Sequence, residues 1–178
     1  FRFYLCLRIG DRCLTNCKQI PLPKINNIDL NRLDFFFKLG NHLFSTRYSH
    51  ESWKSFDLLS EGRPSPMMKH FPYIEEWMKL CVRHTGIKKF KTIYLSVLLP
   101  KNQIPWHVDM KDTESFSPAA ITSLSTDDSF IEFEDDKKYT YKSGHSYLIR
   151  SGNRHRIFNL SDKNRYTLCI VPEENPYV

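Results

Sequence analysis

The sequence predicts a mainly β fold with supporting helices, a sandwich or jelly roll, in a single domain spanning residues 1–178. Three observations predict it. Downstream of Gly86 the chain breaks into eight short β-type segments separated by turn chemistry. Upstream of it, apolar residues recur at helical spacing, so residues 1–89 read as mostly helical support preceded by an N-terminal strand, and residues 90–178 as the β core. The composition, 178 residues of which 40% are hydrophobic, with 10 Pro and 6 Gly, is enough for one packed core and is neither fibrous nor disordered.

The first ten residues alternate apolar side chains with Arg2 and Arg8; they lack the continuous apolar centre of a secretory signal and read as a strand. From Ile28 to Phe44, Leu30, Leu33, Phe36 and Phe37 fall on one helical face, with Gly40 as the exit. Ser45 to Pro66, rich in Ser, Pro and charge, reads as an ordered loop over a cleft. Pro72 to Thr85 is the clearer helix: Ile74, Trp77, Met78, Cys81 and Val82 stand at i, i+3, i+4, i+7 and i+8, Pro72 suits the first turn and Gly86 the exit. The β segments are Phe90–Leu99, Ile104–Val108, Ala119–Ser125, Ser129–Glu134, Lys138–Lys142, His145–Arg150, His155–Asn159 and Arg165–Val171. Ser143-Gly144 reads as a tight hairpin turn, and Asn159 to Asn164 as a second one.

Several classes of function are excluded or disfavoured. No apolar run approaches the roughly 20 residues that cross a bilayer, so no membrane span is expected. Five cysteines (Cys6, Cys13, Cys17, Cys81, Cys169) are an odd number in a chain able to build its own core, which points to buried thiols and a reducing, cytoplasmic compartment. Cys13 and Cys17 are spaced like half a zinc site, but no second Cys/His pair follows at suitable spacing. The net charge of +6 lies in the first half, where residues 1–89 carry 15 basic and 8 acidic side chains. No basic run exceeds Lys88-Lys89, and no aromatic-plus-basic stacking motif stands out, so a nucleic-acid partner is possible but not favoured.

The chemistry gathers in the β half. His107 and Asp109 stand two apart at the end of an extended segment, so both side chains can emerge on one side and reach one cation. With seven His and 20 acidic residues, such a spacing arises by chance about 0.8 times in a chain of this length, so context must decide. His155, near the start of the next-to-last strand, supplies a second imidazole. Two imidazoles and one carboxylate leave three positions open, an arrangement suited to non-haem Fe(II), although zinc or manganese fits the same donors. Arg165 follows ten residues later; if the last two strands form a hairpin centred near Leu160, His155 and Arg165 lie opposite each other, and Ile157, Thr167 and Cys169 share their interior face. A guanidinium held inside a barrel needs an anion, and its planar fork fits a carboxylate. The other five histidines, and Trp106 beside the first imidazole, read as structural or exposed.

Trp106-His107-Val108-Asp109, then Tyr141-x-x-Gly144 leading through Tyr147-Leu148-Ile149 to His155-x-x-x-Asn159-x-Ser161-Asp162-x-x-Arg165-x-x-Leu168, resembles the 2-oxoglutarate- and Fe(II)-dependent dioxygenases, and within them most the aspartyl/asparaginyl β-hydroxylase-like group. The resemblance covers roughly residues 90–172. It implies a double-stranded β-helix (jelly roll), iron held by His107, Asp109 and His155, and 2-oxoglutarate gripped at its far carboxylate by Arg165. Thr167 completes an Arg-x-Thr similar to the Arg-x-Ser of relatives, and Tyr94 or Ser96 could reach the same carboxylate. No acid–base residue is implied beyond the metal ligands. The implied reaction decarboxylates 2-oxoglutarate with O2, giving succinate and CO2 and hydroxylating a C–H bond of a protein or peptide side chain or an amino acid. The chain departs from that group in two respects: Asp109 stands where the β-hydroxylases often lack an acidic ligand, and Ala119-Ala120-Ile121-Thr122-Ser123 replaces their Arg-rich strand. Two other classes compete: a cupin-like metal-binding or isomerase protein, which has no need of Arg165, and a non-catalytic binding domain with a relict site. Succinate formation and metal content separate them.

Overall fold

The computed structural model describes residues 17–19, 24, 29–40, 44–47, 50–85, 89–109, 119–125 and 128–172. The expectation of a strand at Phe1–Gly10 and the role of Cys13 lie outside the described residues.

Among them the chain forms β1 (Cys17–Gln19), α1 (Leu30–Leu39), β2 (Ser45–Arg47), β3 (His50–Ser60), β4 (Arg63–Pro64), a 3-10 turn (Pro66–His70), α2 (Pro72–Thr85), β5 (Phe90–Leu98), β6 (Asn102–His107), β7 (Ala119–Ser123), β8 (Ser129–Phe133), β9 (Lys138–Thr140), β10 (Ser146–Ile149), β11 (His155–Asn159) and β12 (Arg165–Pro172). The eight expected strands of the second half are all present. The helices start and stop for the expected local reasons. Asp29 caps α1 by accepting the Arg32 backbone N–H at 3.0 Å, Gly40 closes it on the Phe36 carbonyl at 2.8 Å, and Pro72 opens α2.

Two antiparallel sheets face each other. The larger runs β1-β10-β7-β12-β5-β3-β2, with β4 beside β3; the smaller runs β6-β11-β8-β9. From β5 onward the chain alternates between the sheets (β5 in the larger, β6 in the smaller, β7 in the larger, β8 and β9 in the smaller, β10, β11, β12 alternating again), which is the winding of a double-stranded β-helix. The larger sheet is buried on both faces. On its outer face, Ile93, Leu95, Val97, Tyr166, Leu168 and Ile170 pack with Leu33 of α1 and with Ile74 and Trp77 of α2. Each such side chain contributes about 1.5–3 kcal/mol on burial, so the helices are integral to the sheet. The inner face, with Trp53, Leu98, Ile121, Tyr147 and Cys169, meets Ile104, Ile131, Phe133 and Ile157 of the smaller sheet.

Three expectations need correction. Ser45–Pro66 is no loop: its centre is the 11-residue strand β3, paired along β5 and extending the larger sheet, so the described part of the first half adds a long strand to its helices. β3 escaped notice because it is buried from both sides in unlike ways, with Phe56 and Leu58 toward the helices and Trp53 and small Ser55 toward the interior, which breaks the polar/apolar alternation of a half-exposed strand. Second, β11 and β12 form no hairpin. β11 pairs with β6 and β8, β12 with β5 and β7, and His155 and Arg165 are not opposite in register. Third, Ser143-Gly144 lies in a turn, with Gly144 at φ 76° and the His145 N–H on the Lys142 carbonyl, but that turn carries the chain from one sheet to the other. The hairpin of this region is β8–β9, turning on Asp136 at φ 60°.

The crossing from β11 to β12 is held by a buried amide. The Asn159 Nδ2 faces the carbonyls of Leu98, Leu99 and Lys163 at 3.1, 3.0 and 2.8 Å, while its Oδ1 accepts from the backbone N–H and hydroxyl of Ser161. This ties the corner to the end of β5, and so sets Arg165, the first residue of β12, opposite Leu98.

Candidate metal centre

β6 aligns with β11 through His107↔His155 and Ile104↔Ile157, so three steps on β6 match two on β11. The extra residue is a bulge at Pro105-Trp106, a place where proline's missing N–H is tolerated. Strict alternation would put Ile104 and His107 on opposite faces; the bulge turns both inward, Ile104 into the core and His107 beside His155.

The two imidazole rings lie 4.3 Å apart, centroid to centroid. His107 Nδ1 is 2.8 Å from the Pro105 carbonyl and His155 Nδ1 2.7 Å from the Asn153 carbonyl. A carbonyl only accepts, so both Nδ1 atoms carry a proton, and in the neutral form of each ring Nε2 is the atom left to ligate a metal. Those Nε2 atoms face one carboxylate: Asp109 Oδ1 stands 3.6 Å from His107 and Oδ2 3.9 Å from His155. The Asp109 backbone N–H bonds the Ser151 carbonyl at 3.0 Å, anchoring the segment after β6 to the one before β11. One donor atom from each of His107, Asp109 and His155 lies within 4.8 Å of the others, so the three could hold one metal ion. His155 is buried, His107 nearly so, and Asp109 is 26% exposed, so the group opens to solvent on the carboxylate side. Burial pushes His155 below the ordinary imidazole pKa, His107 adds to that, and Asp109 opposes it. The neutral imidazole favoured by burial is the form that ligates a metal.

Arg165 is the other unusual feature. It is 1% exposed, its guanidinium carbon lies 5.0 Å over the Tyr141 ring, and neither Nε nor Nη2 has a hydrogen-bond acceptor. The Tyr141 and Thr167 hydroxyls are also buried and without partners. Burial works against the guanidinium charge and keeps the Tyr141 hydroxyl protonated well beyond the usual range. Beside Arg165 runs a line of small hydroxyl side chains, in register across four strands of the inner face: Ser55, Ser96, Thr167 and Ser123. Small residues there leave room that the aliphatic rows elsewhere fill. Ser96 accepts the Trp53 indole N–H at 2.9 Å, which leaves its own proton to donate; Tyr94, half-buried, packs in the same interior.

The structure thus brings His107, Asp109 and His155 together, and buries Arg165 and Thr167 on the inner face. Sequence reading missed Trp53, whose ring centroid is 5.3 Å from that of His107, and the role of Tyr141 under Arg165. Period-two spacing of Trp53 and Ser55 was the signal for the first; nothing local marks the second. Cys17 and Cys169 are buried thiols in no disulfide, and burial pushes the Cys17 thiol up to about 12, away from the reactive thiolate.

The family model of aspartyl/asparaginyl beta-hydroxylases matches residues 31–173. The chain belongs to that family. The match extends the resemblance of the β half backward over both helices and β3. Membership makes the chain a hydroxylase of the 2-oxoglutarate-dependent class. No curated protein matches the chain significantly by sequence. Solved structures share the fold at low identity. A prolyl hydroxylase from Trichoplax adhaerens, in complex with a hypoxia inducible factor oxygen degradation domain peptide fragment, superposes with a TM-score of 0.58 at 13% identity, over 92% of this chain and 86% of that one. A Pseudomonas putida prolyl-4-hydroxylase gives 0.56 at 10% identity, over 90% and 94%. A 2OG-Fe(II) oxygenase family oxidoreductase from Burkholderia pseudomallei gives 0.56 at 11%, over 90% and 85%.

Proposed function

We propose that this family member is an Fe(II)- and 2-oxoglutarate-dependent dioxygenase that hydroxylates a C–H bond of a protein or peptide side chain, or of an amino acid, with succinate and CO2 as coproducts. His107, Asp109 and His155 hold the iron. Arg165 binds the far carboxylate of 2-oxoglutarate, with Thr167 beside it and Ser96 as a further donor. The observation that carries the reading is the Arg165 guanidinium, buried, with two N–H-bearing nitrogens lacking an acceptor. Such a group persists where an anion completes it in the working protein. The donor set fits as well: two imidazole nitrogens and one carboxylate oxygen leave open positions suited to Fe(II).

When bound, iron supplies the oxidation chemistry: O2 is the oxidant, 2-oxoglutarate is decarboxylated to succinate and CO2, and one oxygen atom ends in the new hydroxyl of the substrate. The chain's own residues orient and exclude. The Pro105 and Asn153 carbonyls fix both imidazole tautomers, the two-nitrogen edge of Arg165 sets the direction of the diacid, and Tyr141 beneath it keeps water off the guanidinium. A peptide substrate is supported by the family and by a neighbour of the same fold that carries a peptide. Incubation with Fe(II), O2 and 2-oxoglutarate is expected to yield succinate, measured by mass spectrometry, at a rate abolished by chelator. Bound metal with no succinate above the chelated control overturns the reading in favour of a relict site.

A further inference from the structure

Next to the metal centre lies a cleft of about 230 Å3, lined by residues 104–108 of β6 and the turn after it, and by His50 and Trp53 of β3. Consecutive residues of a strand point to opposite faces, so a cavity on a sheet face touches alternate ones. Here five consecutive residues line one cavity, which therefore runs along the edge of β6. β6 ends the smaller sheet, and β11 is its partner among the described strands. An edge strand turns alternate backbone N–H and C=O groups away from its partner, where an extended chain can pair with them.

Resting on the hydroxylase reading above, we propose that this cleft is a substrate subsite: it takes one large apolar side chain of an extended polypeptide, close in sequence to the residue that is hydroxylated. The volume suits one large side chain and falls below the roughly 300–1,000 Å3 of pockets that enclose a drug-sized ligand. The lining favours an apolar side chain, because Trp53, Ile104, Pro105, Trp106 and Val108 present apolar surface, His50 is the one ionisable side chain outside the metal group, and the Arg154 and Arg156 charges at Trp106 are taken up by Glu134 and Glu132. The position sets the spacing. The His107 ring forms part of the wall while its Nε2 faces the Asp109 carboxylate, so the occupant of the cleft and the reacting carbon lie on two sides of one imidazole. Extended residues advance about 3.3 Å each, so the occupant of the cleft and the hydroxylated residue are near neighbours in the substrate's sequence. The wall is preformed: Arg156 and Arg154 stack at 4.7 and 5.8 Å on Trp106, and Glu132 and Glu134 hold those guanidinium groups.

Trp53 and Trp106 are two of the chain's three tryptophans, so intrinsic fluorescence reports the cleft directly. The probes are acetyl-Gly-Gly-X-Gly-Gly-amide peptides with X as Leu, Phe, Asp, Lys or Gly, titrated into metal-free protein without cosubstrate. Leu and Phe peptides are expected to bind at least tenfold more tightly than the other three. His50→Arg, which puts a charge into the cleft, is expected to remove that preference; Trp106→Ala on the solvent side of β6 serves if His50→Arg does not fold. Equal binding of all five peptides, preference for a charged one, or a preference surviving both variants overturns the subsite. Because this titration needs neither iron nor 2-oxoglutarate, its failure is separable from failure of the succinate assay.

Discussion

Arg165→Met is expected to abolish stabilisation by N-oxalylglycine, an analogue of 2-oxoglutarate, while raising the melting temperature of the ligand-free protein. The two effects have one cause. In the free protein the guanidinium is buried with Nε and Nη2 lacking acceptors, and the Tyr141 ring only partly offsets the lost hydration. A methionine of similar volume occupies the site without an unpaired charge, as in other replacements of buried ionic groups by apolar ones. A gain of about 1 kcal/mol corresponds to about 2–4 °C in a chain of this size. With ligand the sign reverses: losing one partner of a desolvated, hydrogen-bonded charge pair costs about 2–5 kcal/mol, or roughly 30- to 5,000-fold in affinity. Arg165→Lys keeps the charge but loses the fork, and is expected to fall between. Thermal melts of the three proteins with and without the analogue check this. A methionine variant less stable than the parent and still stabilised by the analogue contradicts the assignment.

His155→Ala is expected to lower Fe(II) affinity by more than the roughly 10- to 100-fold typical of losing an outer-shell partner, because it removes a donor atom itself. Asp109→Asn, which keeps the shape and removes the charge that both Nε2 atoms face, is expected to act in the same direction. The fold should survive both. Asp109 is partly exposed, and a cavity at the end of β11 leaves the Asn159 corner untouched. Bound iron per chain after anaerobic loading and desalting, with far-ultraviolet dichroism as the folding control, measures the effect. Full iron retention in both variants would remove these residues from the centre.

How much of this could be seen in the sequence depended on whether the signal was local. α2 and β11 were placed to the residue, because Ile74, Trp77 and Met78 repeat at helical spacing and His155, Ile157 and Asn159 alternate between flanking turns. The three candidate ligands were legible because two of them sit two apart and the third begins a clean strand. Strand pairing was not legible. A Ser-Asp turn after Asn159 suits a hairpin as well as a corner, and the corner wins through contacts to Leu98 and Leu99, about 60 residues away in the chain. The inward course of Arg165 was nonetheless anticipated by parity, which survives a wrong partner. β3 was hidden because its inner face is serine and tryptophan, residues that read as loop until Ser96, Thr167 and Ser123 are seen beside Ser55. The bulge that aims His107 left a trace in Pro105, a residue suited to an edge strand, but its consequence for direction needed the register of β11.

The central claim, that one ferrous ion on His107, Asp109 and His155 and the Arg165 guanidinium together seat a single diacid, is tested most directly by calorimetric titration of N-oxalylglycine into the protein with and without Mn(II) as a redox-inert substitute for iron. One analogue per chain, bound at least tenfold more tightly when the metal is present, is the result predicted. Equal binding in the two titrations, or none in either, would contradict it.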